Sequence, residues 1–140
     1  MVVDADDNRL HLCSNGRSEG DYGVSLGRNG VGKTREGDAR TPVGVFSLGE
    51  PRGSREFHLF IPVGYPTTEQ RKAGFTGGAV GIHGPKRGWR WLGRLANVYN
   101  WTGGCIAVNR EQDIEAIAAW VRLKRVTTVS IVSTDVTAGH

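Results

Sequence analysis

Residues 101–109 read W-T-G-G-C-I-A-V-N and place a cysteine between a Gly-Gly pair and a short apolar run. A helix over residues 111–123 is predicted directly after this stretch, because apolar side chains recur there at the spacing of one helical face: Ile114, Ile117, Ala118 and Val121. Asn109 is expected to cap the helix, with Gln112 in the reciprocal position of a capping box. Cys105 would then lie close to a helix N-terminus, which can lower the pKa of a thiol.

On either side of this helix, short apolar and β-branched runs alternate with turn residues and predict a mainly β domain. The predicted strands cover residues 10–13, 22–27, 41–48, 57–63, 78–84 and 127–132. Glycine accounts for 21 of the 140 residues, which is about twice the usual share of roughly 7% and is typical of short strands joined by tight turns. We therefore expect a single domain over residues 1–140, mainly β, with one principal helix packed against the strands.

The composition restricts the classes of partner and location. The net charge of +4 favours an acidic partner, such as nucleic acid, an anionic polymer or a substrate that carries carboxylates. No apolar run approaches the roughly 18 residues that a membrane-spanning helix needs, so no membrane span is predicted. Residues 1–7 are acidic and do not resemble a secretory signal. Two locations stay open: the cytoplasm, or a compartment reached with a leader that this chain does not carry.

The two cysteines and four histidines show no spacing typical of a zinc site, so neither a metal nor another cofactor is predicted. Cys13 falls inside an alternating strand pattern and is expected to be a small buried residue of the core. Cys105 differs, because Gly103 and Gly104 leave room for a substrate to approach it. A nucleophilic cysteine needs a nearby base. His83, at the end of a predicted strand, is the best candidate, and a purely structural Cys105 is the alternative.

The segment between His83 and Cys105 combines basic and aromatic residues: Lys86, Arg87, Trp89, Arg90, Trp91, Arg94, Tyr99 and Trp101. One interpretation is a solvated basic loop whose aromatic side chains are buried in the core. The other is a lid that binds carboxylates through arginine and covers a peptide with tryptophan. The sequence favours neither interpretation over the other.

Three blocks of the sequence resemble the L,D-transpeptidase catalytic-domain family of bacterial cell-wall enzymes. Residues 37–46, G-D-A-R-T-P-V-G-V-F, are similar to the family's Gly-Asp-x-x-Thr-Pro-x-Gly strand. Residues 82–84 are similar to its Ile-His-Gly element, and residues 102–108 to its Ser/Thr-x-Gly-Cys block. The resemblance runs over about residues 10–132. The closest pattern is a sub-branch with Trp-Thr-x-Gly-Cys-Ile-Ala-Val.

The resemblance implies a sandwich- or barrel-like β fold in which Cys105 is the nucleophile and His83 the general base. It implies that the backbone N–H groups of Gly104 and Cys105 stabilise the oxyanion. The residues that would contact the substrate are Gly84, Thr102, Gly103, Trp89, Arg90, Trp91 and Trp101. Two positions depart from the common pattern, since Gly103 replaces a histidine and Ala107 replaces arginine or asparagine.

The implied substrate is a peptidoglycan tetrapeptide stem with a meso-diaminopimelate-type residue. The thiolate would attack the carbonyl of that residue and release D-alanine, and the acyl-enzyme would pass to an amine, forming a 3→3 cross-link, or to water. The resemblance further implies acylation by carbapenems and no cofactor. The expected partner is a peptidoglycan stem and not nucleic acid, and the oligomeric state stays open, with a monomer expected. The expected location is the cell envelope or periplasm, with a secreted effector as the alternative.

Other functions remain open from the sequence. A cysteine peptidase or amidase could only hydrolyse wall peptides. A non-enzymatic β domain could bind single-stranded nucleic acid through the arginine and aromatic side chains of residues 87–101, or bind the cell wall with an idle site.

Overall fold

The computed structural model describes residues 1–86 and 102–135. In these two ranges the chain forms nine strands and two helices. The strands are β1 (Val2–Asp4), β2 (Arg9–Ser14), β3 (Arg17–Ser25), β4 (Gly44–Ser47), β5 (Arg52–Ser54), β6 (His58–Pro62), β7 (Gly81–His83), β8 (Ile106–Val108) and β9 (Thr128–Val132). The helices are α1 (Thr68–Lys72) and α2 (Glu111–Lys124). The mainly β fold with one principal helix after the cysteine is confirmed.

The nine strands form one curled sheet in the order β4-β9-β1-β2-β3-β8-β7-β6-β5. The long strand β3 joins its two halves, since it pairs with β2 on one side and with β8 on the other. Most neighbours are antiparallel. The described exceptions are β1 with β9 and β7 with β8, which are parallel.

The two ends of the sheet approach each other, although β4 and β6 are far apart in the strand order. Leu48, just after β4, forms an isolated bridge with Val63, just after β6. The N–H of Gly49 donates to the carbonyl of Pro62, and the N–H of Gly64 donates to that of Ser47. These bonds nearly close the sheet, which gives the barrel-like shape expected from the family resemblance.

Helix α2 packs its apolar stripe on β6 and β8. The predicted side chains, Ile114, Ile117, Ala118 and Val121, are all buried. They join a core that also contains Ile82 of β7 and Ile106 of β8. At its first turn the helix is tied to β6, because the ring nitrogens of His58 lie 3.3 Å from a carboxylate oxygen of Glu111 and 2.7 Å from one of Glu115. The helix therefore fixes β6, β7 and β8 relative to one another.

All six predicted strands overlap observed ones, but β1, β5, β8 and α1 are not anticipated by the sequence pattern. The three strands have only three residues each and so offer too short an alternation to detect. The five-residue helix α1 begins with a complete capping box, in which Thr67 and Gln70 bond each other's backbone N–H groups. Neither described helix is long and apolar enough to cross a membrane.

The prediction for Cys13 is wrong, because its side chain is exposed rather than buried. Leu10 and Leu12 face the core, and side chains alternate along a strand, so Cys13 falls on the opposite face. A bulge between Leu12 and Cys13 shifts the pairing with β3 at this point. Both cysteines are free thiols.

The predicted cap of the principal helix is also wrong. Arg110 occupies the N-cap position in an extended conformation, and no side chain caps the helix there. Asn109 lies one residue earlier, directly after β8. Its buried Oδ1 has no hydrogen-bond partner in the part of the chain that the structure describes. The capping box of Asn109 and Gln112 therefore does not form.

Replacing Arg110 with serine should stabilise the protein, because the extended backbone of this position suits a hydroxyl that accepts from the helix N–H groups. We expect the free energy of unfolding in urea to be higher for Arg110→Ser than for Arg110→Ala by roughly 0.5–2 kcal/mol. The alanine variant is the control for loss of the arginine side chain. Equal stability of the two variants would show that the first turn cannot accept a side-chain cap.

Candidate active site

The pairing of β7 with β8 brings His83 and Cys105 to one face of the sheet. The two strands are parallel, with Ile82 opposite Ile106 and His83 opposite Ala107. Cys105 directly precedes β8 and therefore lies opposite Gly81. Because side chains alternate, Cys105 and His83 are on the face opposite to the isoleucines, with α-carbons about 8 Å apart from strand spacing and rise. Their side chains can meet across that gap.

Thr102 holds the turn that carries Cys105. Its hydroxyl donates to the carbonyl of Cys105 at 2.7 Å and accepts from the N–H of Gly104 at 3.1 Å. Its own backbone bonds Leu26 and Arg28. Thr102 is only 2% exposed, and its hydroxyl is engaged in the turn. Its contact with a substrate stays a prediction.

Gly104 is needed in this turn for two reasons. Its φ of +137° lies in the region that side chains other than glycine rarely adopt. A Cβ at this position would also lie 2.7 Å from the carbonyl oxygen of Arg40. The neighbouring Gly103 is different, since a Cβ there would meet nothing within 4 Å and the residue is exposed. Of the two glycines, Gly103 is the one with open space for a substrate beside Cys105.

The thiol of Cys105 is partly exposed and donates to the carbonyl of Ala79 at 3.5 Å. Burial raises its pKa above the ordinary value, and a hydrogen bond with the Gly81 backbone and the positive charge of Lys33 oppose this rise. The sequence suggested a pKa lowered by the helix N-terminus. Burial acts in the opposite direction on the pKa of Cys105 and is the largest effect.

His83 is 1% exposed and lies in an apolar setting. Its ring stacks on that of Phe57, with centroids 3.7 Å apart. Nδ1 lies 2.8 Å from the carbonyl oxygen of Gly84, and because a carbonyl can only accept, Nδ1 carries the proton. Nε2 is then the basic nitrogen. Burial lowers the pKa of His83 to about 4, although the Gly84 hydrogen bond acts against this. The imidazole is therefore neutral at neutral pH.

The backbone of Gly84 orients the ring of His83. Its N–H donates to the carbonyl of Phe57 at 3.2 Å, while its own carbonyl accepts from His83. A Cβ at this position would lie 2.7 Å from the Phe57 carbonyl oxygen. Only glycine allows the histidine strand to come this close to Phe57.

Sequence reasoning missed Lys33, Asp38 and Phe57. Lys33 is buried beside the cysteine turn and pairs with Asp38 at 3.0 Å. Asp38 belongs to the Gly-Asp-x-x-Thr-Pro block, which was a signal for its importance, whereas nothing in the sequence marks Lys33 or Phe57. The predicted substrate contacts Trp89, Arg90, Trp91 and Trp101 lie outside the described residues. Among the described residues, no group of three or more His, Cys, Asp or Glu side chains could hold a metal ion.

A family model for the L,D-transpeptidase catalytic domain, named YkuD, matches residues 1–131. The chain belongs to the L,D-transpeptidase catalytic-domain family. The family recognised from three short blocks is thus confirmed over almost the whole chain. A comparison with curated proteins found no match.

Several solved structures share the fold of this chain. The helical cell shape determining protein Pgp2 from Campylobacter jejuni has 24% sequence identity and a TM-score of 0.75, with 93% of this chain and 46% of that chain covered. Bdellovibrio bacteriovorus Bd1075 has 19% identity and a TM-score of 0.66, with 94% and 46% covered. An L,D-transpeptidase from Mycobacterium smegmatis has 16% identity and a TM-score of 0.58, with 94% and 57% covered. The chain spans about half the length of these proteins.

The two adjacent glycines of the L,D-transpeptidase turn should respond differently to alanine. Gly104→Ala forces a Cβ against the Arg40 carbonyl at a strained φ, so we expect a large loss of unfolding free energy, on the order of 2 kcal/mol or more. Gly103→Ala enters open space and should change the stability by less than about 0.5 kcal/mol. Urea unfolding of both variants measures this, and similar losses would contradict the described turn.

Burial of neutral His83 should make the stability depend on pH. Its pKa is 6.5 in the unfolded chain and about 4 in the folded one, so the unfolded state binds more protons between these values. Stability from this group is therefore full above pH 6.5 and is lost as the pH falls to about 4, by roughly 3 kcal/mol in total.

The difference in unfolding free energy between wild type and His83→Gln, measured from pH 7.5 to 4, isolates this contribution. Asp38 does not interfere, because its pKa falls from 3.8 to about 2 and its own loss comes below pH 4. Parallel pH profiles of the two proteins would mean that His83 is not buried in its neutral form.

Proposed function

We propose that this chain is a peptidoglycan L,D-transpeptidase that uses Cys105 as nucleophile and His83 as general base. The observation that carries the proposal is the placement of a partly exposed thiol and a buried, oriented imidazole on one face of two adjacent parallel strands. Membership of the family supports the same assignment. The proposed donor is a tetrapeptide stem with a meso-diaminopimelate-type residue, in the cell envelope.

The chemistry begins from two neutral groups. Because burial raises the pKa of Cys105 and lowers that of His83, a resting thiolate–imidazolium pair is disfavoured. The thiol proton therefore moves to Nε2 of His83 as Sγ bonds to the carbonyl carbon of the stem. The tetrahedral oxyanion then collapses, the C–N bond to D-alanine breaks, and the imidazolium gives its proton to the departing amine.

The oxyanion requires hydrogen-bond donors near the Cys105 turn. The N–H of Gly104 already donates to the Thr102 hydroxyl, so an oxyanion would compete with that hydroxyl for it. The N–H of Cys105 is the second donor in the proposal, and it lies in the same turn, which Thr102 holds rigid. Thr102 and Gly84 act on the reaction through the backbone that they shape.

The acyl-enzyme would pass to the amine of a second stem, giving a 3→3 cross-link, or to water. Hydrolysis, an L,D-carboxypeptidase activity, is the second candidate. The specific feature that favours it is the exposed surface at Gly103, where common family members carry a histidine and where this turn leaves open space beside Cys105. The proposed reaction uses no cofactor.

Replacement of Cys105 should abolish the reaction. We expect Cys105→Ala to release no D-alanine from tetrapeptide stems and to gain no carbapenem mass in intact-protein mass spectrometry. The matched control is Cys13→Ser, since Cys13 is the other free thiol and lies on the exposed face of β2. This control should keep wild-type turnover and a single carbapenem adduct.

The products separate the two candidate reactions. Cross-linked dimers formed from wild-type protein support transpeptidation, and shortened tripeptide stems alone support hydrolysis. Turnover that persists in Cys105→Ala would refute the proposed nucleophile, and a wild-type protein that reacts with neither stems nor carbapenem would refute the enzymatic proposal.

A further inference from the structure

Lys33 is a buried lysine beside the cysteine turn. It is 5% exposed, whereas lysines are almost never buried unless they are paired. Its Nζ donates to Oδ1 of Asp38 at 3.0 Å and to the carbonyl of Arg35 at 3.1 Å. It also lies 5.9 Å from the centre of the Tyr65 ring. These partners hold the ammonium group in one position inside the protein.

Asp38 stabilises this arrangement by folding the preceding loop around itself. Its carboxylate accepts from the backbone N–H groups of Thr34, Arg35 and Arg40, in addition to Lys33. These bonds lower the pKa of Asp38 to about 2 despite its burial. The loop that carries Lys33 is therefore closed on a fully ionised carboxylate, and the lysine side chain is directed inward.

The ammonium group lies directly behind the turn that carries the proposed nucleophile. Nζ is 3.9 Å from the position that a Cβ would take at Gly104. On its other side, Cε is 3.2 Å from the corresponding position at Gly77. The backbone of Arg40, which Asp38 holds, contacts the same side of Gly104. Lys33 is thus fixed between the Asp38 loop and the Gly104–Cys105 peptide.

We propose that Lys33 is a positioning residue that stabilises the negative charge developing at the Cys105 turn, on Sγ as its proton leaves and on the oxyanion as the carbonyl is attacked. The inference deepens the proposed function and rests on the role of Cys105 as nucleophile. A fixed cation in a region from which water is excluded acts more strongly than one in solvent and needs no rearrangement as the charge develops. The hydrogen bond to Asp38 keeps the ammonium group in place.

The alternative is that the ion pair only holds the loop, and two matched variants separate these roles. Lys33→Met and Asp38→Asn each break the same ion pair, so both should lower the melting temperature. Only Lys33→Met removes the cation, while Asp38→Asn removes an anion and retains an oxygen for the backbone N–H groups. An electrostatic role therefore predicts that the two variants change the pKa of the Cys105 thiol in opposite directions or by different amounts. A structural role predicts that both variants change it in the same way.

The readout is the rate of Cys105 alkylation by iodoacetamide against pH, measured by mass spectrometry in a Cys13→Ser background. Iodoacetamide is neutral, so the lysine does not attract it, and no substrate is needed. Lys33→Met should move the alkylation profile to higher pH and slow the reaction at pH 7 by roughly threefold. That figure corresponds to a thiol pKa that is higher by about one unit. The thiolate fraction is then about tenfold smaller, and the greater nucleophilicity of the more basic thiolate offsets part of this loss.

Lys33→Arg keeps the charge and should stay close to the wild-type profile. Asp38→Asn should leave the profile unchanged or move it to lower pH. The proposal is overturned if Lys33→Met alkylates like wild type, or if Asp38→Asn shifts the profile upward to the same extent. Should Lys33→Met fail to fold by circular dichroism, Lys33→Met/Asp38→Asn leaves no buried charge unpaired, and its rate at pH 7 must then be lower than that of Asp38→Asn.

The result does not depend on the proposed reaction. If stems and carbapenem do not react while the alkylation profile shifts as expected, the proposed function fails and the effect of Lys33 on the thiol stands. If stems react and the alkylation profile does not shift, the proposed function stands and the proposed role of Lys33 fails.

Discussion

The parallel pairing of β7 with β8 is the constraint on which the candidate site depends. A slip of one residue would turn either His83 or Cys105 to the other face of the sheet and separate them. The core prevents that slip, because Ile82 and Ile106 are opposite each other and both fully buried, and moving one would expose a large apolar surface. Helix α2 covers this apolar face. The same contacts that stabilise the fold therefore set the relative position of thiol and imidazole.

The family's sequence blocks are occupied largely by residues that shape the backbone. Asp38 bonds three N–H groups of its own loop, and the hydroxyl of Thr41 accepts from the N–H of Gly27. Thr102 performs the same task in the cysteine turn. Each is a short polar side chain that satisfies backbone groups in an irregular segment, where no strand or helix can satisfy them. Such blocks identify the family reliably because a turn of fixed shape tolerates few side chains.

The sequence predicted the elements whose residues follow a periodic pattern or a family motif. The stripe of α2 and the long alternating strands follow a period, and the blocks around His83 and Cys105 follow a family pattern. The prediction fails at Cys13. A bulge precedes this residue, and its side chain lies on the face of β2 opposite to Leu10, so it is exposed to solvent. The cap of α2 shows another limit, because Asn109 and Arg110 are adjacent and only the observed backbone decides which one begins the helix. Lys33 and Phe57 are brought to the site by long-range contacts, which no local pattern reports.

The electrostatics of the site follow from its burial. Desolvation makes His83 a weak base and Cys105 a weak acid, which disfavours separated charges in the resting protein. The same desolvation makes the imidazolium a strong acid once it forms, so it returns a proton readily to a departing amine. Burial therefore makes removal of the thiol proton less favourable and makes protonation of the leaving amine more favourable. The compensation has to come from charges and dipoles that are fixed before the reaction begins. The backbone of the cysteine turn and the ammonium group of Lys33 are such groups, and both are held in place by side chains outside the reacting pair.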